Sequence, residues 1–226
     1  MTKIKMTRSS PSLDMTPMVD LAFLLVTFFM LTATMRAPEP VIVDTPSSVS
    51  DLILPKNTML LTIDTAGRVF LNYEGKEVRI NALKRIMNKF PAVKFSEEEV
   101  EKFGSMQSFG VPIKDLPKYI DADPDERKKM DDASKGIPMD TLNNNDELSF
   151  WVNFIRVEGY IWADQKNNEG ANPPIEPMRI ALKADGGAKY KKIDNVIAIF
   201  KKQDVYQFNL ITDLEADPNN APAPGK

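Results

Sequence analysis

Hydrophobic and polar positions change rhythm several times along the chain. From Met18 to Met35 the pattern is unbroken, 18 residues with a single charge, Asp20. As a helix rising about 1.5 Å per residue this run reaches about 27 Å, near the roughly 30 Å hydrocarbon core of a bilayer. The pattern predicts one membrane-spanning helix over residues 15–36. Pro17 suits a first helical turn with Thr16 as its cap, and Arg36 and Pro38 close the other end. A cleaved signal peptide is the competing reading, because Lys3, Lys5 and Arg8 precede the run. The run is longer than a typical signal core, holds an acid, and leads into Thr34-Met35-Arg36 rather than a small-x-small site, so the segment is read as retained.

Past the span, Ala37 to Pro55 is rich in Pro and Ser around the β-prone island Val41-Ile42-Val43, which predicts a tether (37–57) containing one strand. Met59 to Asp64 and Val69 to Tyr73 flank Thr65-Ala66-Gly67-Arg68 and read as a hairpin. Asn81 to Phe90 follows as a helix with Leu83, Ile86 and Met87 on one face, ended by Pro91. The same grammar returns late in the chain. Met178 to Lys183 reads as a strand, Asp185-Gly186-Gly187 as a turn, Tyr190 to Gln203 as a helix burying Ile193, Val196, Ile197 and Phe200, and Tyr206 to Thr212 as a strand. Asp185-Gly186-Gly187 lacks the glycine and lysine spacing of a phosphate loop.

Between the two halves, residues 92–177 predict a largely helical insertion. Ser96-x-x-Glu99 and Asp123-Pro124-x-Glu126 have capping-box spacing, and Asn145 is placed to cap a helix over 146–162. In that helix Leu148, Trp151, Val152 and Ile155 form one apolar face, while Phe150, Phe154, Val157 and Ile161 occupy much of the rest. Core packing is the preferred reading over a binding surface. Glu97-Glu98-Glu99 and Arg127-Lys128-Lys129 read as solvated helix faces. From residue 215 the Pro-rich tail is expected to be disordered.

Composition removes much chemistry. The 226 residues include no His and no Cys, so His-dependent triads, thiol nucleophiles, disulfides and ordinary zinc sites are excluded. No convergent acid, base and nucleophile is found, so the reading is not an enzyme, and nothing calls for a cofactor or metal. A sequence pI near 5.2 argues against nucleic acid as a partner. The net charge of −3 conceals an asymmetry: +2 over residues 1–19 and −5 over 37–226. By the positive-inside rule the N-terminus (1–14) is expected in the cytoplasm.

Asp20 is the informative residue. An acid inside a spanning helix costs on the order of 2.5 to 3.5 kcal/mol, so one that persists faces protein or water and serves a pathway; the bland alternative is that it reaches the headgroups one turn inside the edge. Asp20, Thr27 and Thr34 recur every seven residues, drifting about 20° per step around a helix. Leu24 and Leu31 lie between them. A stripe with an acid and two hydroxyls fits another helix better than lipid. With His absent, proton transfer near neutrality would rest on a desolvated carboxyl.

A short basic N-terminus, Thr16-Pro17-Met18-Val19-Asp20 opening a single apolar span, and an αβ domain beyond it resemble the ExbD/TolR family of inner-membrane energy-transduction subunits. The resemblance covers about residues 1–91 and 178–214; the long insert resembles the elaborated members of Bacteroidetes-type bacteria. It implies that Asp20 is the proton-carrying group and that Thr16, Pro17, Leu24, Thr27, Leu31 and Thr34 line the channel or a partner interface. It implies a homodimer of this subunit enclosed by a multispanning ExbB/TolQ-like protein, with a TonB- or TolA-like transducer as the output. Val41, Val43 and Pro46 take the place of a strand that joins a partner or the other protomer, although Asp44-Thr45-Pro46 stands where the family often has Asn-Leu-Pro.

The expected fold is thus α+β: one N-terminal transmembrane helix, then a small periplasmic domain (58–214) of strand, strand, helix, strand, helix, strand with the helical insertion. Two functions compete. One is a proton-channel and stator subunit of the bacterial inner membrane that energises a TonB-like protein. The other is a membrane-tethered periplasmic module that binds protein or, as TolR-like proteins do, peptidoglycan. A flagellar stator subunit would carry an OmpA-like domain that the sequence does not show.

Overall fold

The computed structural model describes residues 15–32, 43, 47–48, 55, 57–139, 146–211 and 213–214. Two units divide the chain, Met1–Ala37 and Pro38–Lys226. The first holds α1, Thr16–Thr32, 17 residues with no buried side chain. Among the described residues no helix is long and apolar enough to cross a membrane. Of the helix predicted over 15–36, α1 is the described part and falls short of a span, while residues 33–36 lie outside the described residues. Thr16 is the first helical residue rather than a cap outside the helix.

The second unit is mixed α/β. In chain order it contains β1 (Ser47–Ser48), β2 (Thr58–Ile63), β3 (Val69–Tyr73), α2 (Lys76–Lys89), α3 (Glu97–Ser105), β4 (Ser108–Phe109), α4 (Leu116–Asp121), α5 (Pro124–Ala133), α6 (Glu147–Asn168), β5 (Arg179–Ala184), α7 (Tyr190–Lys202), β6 (Asn209–Ile211) and β7 (Asp213–Leu214). Five strands form one sheet in the order β4-β3-β2-β5-β6, and β1 pairs with β7 in a separate two-stranded sheet. β2 is central, antiparallel to β3 and parallel to β5.

Register explains the core. Alternate residues of a strand share a face, and the pairings align Tyr73, Met59 and Ile180 in one row, then Leu71, Leu61 and Leu182, then Val69, Ile63 and Ala184. All nine are buried in one cluster with Val78, Leu83 and Ile86 of α2 and Val196, Ile199 and Phe200 of α7. The helices thus cover the face that these rows present. On β3 the intervening Phe70 is also buried, close against Gly110: a Cβ there would stand 2.1 Å from its ring.

Several expectations need correction. α2 begins five residues before the predicted Asn81, at Lys76 after Gly75, because Val78 also packs inward. In α7 Val196, Ile199 and Phe200 are buried, while the expected Ile193 and Ile197 are half-buried. α6 continues to Asn168, and Asp146 is its cap, with Oδ1 accepting from the Ser149 amide at 3.2 Å; Asn145 lies outside the described residues. Asp123 stands at the start of α5 but its side chain makes no capping bond. The Ser96 box does form, with Glu99 N donating to Ser96 Oγ at 3.2 Å and Ser96 N to Glu99 Oε2 at 2.6 Å. The short α4 and β4 had no clear sequence signal.

The described residues of the 92–177 insertion are integrated into this core. Trp151 of α6 is buried with its ring centroid 4.7 Å from Phe109 and 5.7 Å from Phe103. Leu148, Val152 and Ile155 join it, and Phe150 and Phe154 pack against the cluster half-buried. Glu147 at the head of α6 is buried and accepts from the Ile113 amide at 2.7 Å.

Candidate functional site

α1 is apolar nearly all round because its sequence offers no polar face: Asp20 is its only charged residue, and Thr16, Thr27 and Thr32 are its hydroxyls. Both later hydroxyls bond back to the helix. Thr27 Oγ1 donates to Leu24 O at 2.9 Å and Thr32 Oγ1 to Phe28 O at 2.8 Å. Such back-bonding satisfies a hydroxyl without water. Met15, Thr16, Pro17, Val19, Asp20 and Phe23 line a shallow open groove on the helix.

Leu24 and Leu31 are exposed and Thr27 is half-buried. With their ordinary helical spacing, Asp20, Leu24, Thr27 and Leu31 share one stripe, and Thr34 lies outside the described residues. In the tether, Val43 is buried, while Val41 and Pro46 are outside the described residues. The strand pairing found here is Ser47 with Asp213 and Ser48 with Leu214, in parallel.

The second unit buries a polar cluster that no sequence motif announced. Asp64, at the end of β2, accepts from Arg68 N at 2.7 Å and from Arg68 Nε at 2.5 Å. Arg68 Nη1 reaches across to the carbonyls of Asp131 and Asp132 at 2.9 and 2.7 Å. Asp131 Oδ2 accepts from the Tyr119 hydroxyl at 2.9 Å. Burial pushes the Asp131 carboxyl up to about 6, with the Tyr119 hydrogen bond acting the other way, Asp132 adding to the rise, and Arg68 and Arg127 opposing it. Burial also raises Glu147, against the pull of its bond from the Ile113 amide. On α2 the buried Arg79 guanidinium is lowered by desolvation, and Glu74 and Tyr73 counter this. Among the described residues, no group of three or more acids is placed to hold a metal ion.

In chain order an apolar helix with one acid precedes a sheet domain. Residues 6–108 match the family model of the biopolymer transport protein ExbD/TolR. Over those residues the chain is similar to an ExbD/TolR domain. No curated protein and no solved structure matches it. The ExbD/TolR match spans α1, the tether, the β2–β3 hairpin, α2 and α3 and ends at the first residue of β4. It covers less than half of the 226 residues. Asp20 lies inside the matched region, whereas Asp131 and Tyr119 lie beyond it. Biopolymer transport is the coarse function that the ExbD/TolR family supports.

Proposed function

We propose that this chain is an inner-membrane proton-channel and stator subunit that works with an ExbB-like multispanning partner to energise a TonB-like protein. The observation that carries the proposal is Asp20: the one charged side chain of α1, within the ExbD/TolR-matched residues. In this reading residues 15–36 cross the membrane with the N-terminus cytoplasmic, and 58–214 form the periplasmic output domain. α1 supports it because its apolar side chains, Phe23, Leu24, Phe28 and Leu31 among them, are exposed within their own unit and need lipid or partner helices to cover them.

Asp20 would bind and release protons, while Thr16, Pro17, Leu24, Thr27, Leu31 and Thr34 form the stripe against the partner. One charge crossing the membrane is worth about 2.3 kcal/mol per 100 mV, and neutralising the acid removes its need for water or a counter-charge. Protonation thereby changes which partner surface the helix prefers. A homodimer of this chain would sit within a ring of the partner. Replacing Asp20→Asn tests the mechanism: proton-dependent uptake of large nutrients through the outer membrane is expected to stop, with membrane assembly and abundance unchanged. Undiminished uptake in D20N would overturn the proton-carrying role and leave a tethered periplasmic binding module.

A further inference from the structure

Helices normally dock through apolar side chains, and α5 does not. Of its ten residues the only buried one is an acid, Asp131. Met130 packs half-buried beside it, so the seating of α5 rests on polar contacts. Arg68 Nη1 holds the carbonyls of Asp131 and Asp132 from the hairpin side. Ser134 Oγ, just past the helix, donates to Gly110 O at 2.6 Å, and Ile137 N donates to Val69 O at 3.1 Å, adding a bond at the β3 edge. Among the described residues, Tyr119 of α4 supplies the one hydrogen bond to the carboxyl itself.

The carboxyl is poorly provided for as an anion. Among the described residues its Oδ1 is buried without a hydrogen-bond partner. The two nearby arginines are committed elsewhere: Arg68 Nε binds Asp64 and Arg68 Nη1 the two carbonyls, while Arg127 Nε and Nη2 donate to the carbonyls of Tyr119 and Ile120. Asp131 also lies in the last turn of α5, the end of a helix that carries partial negative charge, next to Asp132. The groups that face it are therefore Tyr119 from α4, Arg68 with Asp64 behind it from the hairpin, and Arg127 and Asp132 from α5 itself. A neutral acid suits this setting, with one oxygen accepting from Tyr119 and the other carrying the proton.

We propose that Asp131 is a pH-sensitive latch: protonated, it lets α5 seat against α4 and the β2–β3 hairpin; ionised, it loosens that seat. The upward displacement of this group to about 6 places the change in mildly acidic solution. The sign follows from linkage. The folded chain holds the proton to a higher pH than the unfolded chain, so the contribution to stability is complete below the ordinary carboxylate range and is lost as pH rises through about 6. The latch is independent of the role proposed for Asp20.

Hydrogen exchange on the full chain in detergent, corrected for intrinsic rates, tests it. Between about pH 5 and pH 7.5, protection of the α5 amides and of Ile137 should fall by about tenfold, with no comparable change in α3. In Asp131→Asn the same amides should stay protected at both pH values. In Tyr119→Phe the midpoint should move upward, since that hydroxyl stabilises the anion. Protection of α5 that is equal at the two pH values in the natural chain, or a pH dependence that survives in D131N, would overturn the latch.

Discussion

A single glycine shows how tightly the additional segment is stitched to the sheet. Gly136 has φ +77°, and a Cβ there would lie 2.6 Å from the Val69 amide nitrogen. That neighbour is backbone and cannot turn aside. Gly136→Ala is expected to cost about 1 to 3 kcal/mol, read by chemical denaturation. Gly170, with φ +90° and nothing within 4 Å of an added Cβ, is the control: the same change there should cost only the backbone strain, at the low end of that range. At this scale the sequence is unevenly legible. Asp20 stands out because a charge in an apolar run violates the surrounding pattern. Asp131 and Arg68 do not, because Asp131 sits among ordinary charges, Arg68 follows an ordinary turn, and their meeting depends on a fold that joins positions far apart in the chain. Tyr119 gives no signal for the same reason.

Among the elements, local rules succeed where the cause is local. Ser96 and Glu99 satisfy each other's backbone amides, so Ser96→Ala is expected to destabilise the chain by about 1 kcal/mol, measured as a shift in denaturation midpoint. Asp123→Ala should change it far less, because the Asp123 side chain makes no capping bond. The hairpin, α2, β5 and α7 were readable from apolar periodicity because each presents one face to a single core. α6 was readable as a helix but not in extent: its second half, through Ala163, still packs inward although its surroundings grow polar. The choice of Ile199 over Ile197 follows from the orientation of α7 on the sheet, which periodicity does not fix. α4 is six residues long and too short for a period to declare itself. Its hold on the fold comes from Leu116, Tyr119 and Ile120, which are buried.

For the whole molecule, the proposed assembly is open to a direct count. Purifying the chain from membranes with its multispanning neighbour should yield a complex containing two copies of this subunit, as the resemblance to the ExbD/TolR family implies. A complex with one copy, or none, would overturn the enclosed-dimer arrangement. The sequence made the division into an apolar helix and an αβ unit visible because solvent preference differs so strongly between them. The strand order β4-β3-β2-β5-β6 was not visible, since pairing across the insertion leaves no mark on either strand alone.

That pairing has a consequence for how the protein is made. Arg179 meets Thr58 across the parallel β2–β5 ladder about 120 residues later in the chain. During synthesis the hairpin therefore exists well before the strand that completes its inner side, and one edge of β2, rich in Met, Leu and Ile, waits unpaired. An open apolar edge is a template for the wrong partner. The interval between the emergence of Ile63 and that of Ala184 is thus the window in which nascent chains are most exposed to aggregation, and in which a chaperone would have most to protect.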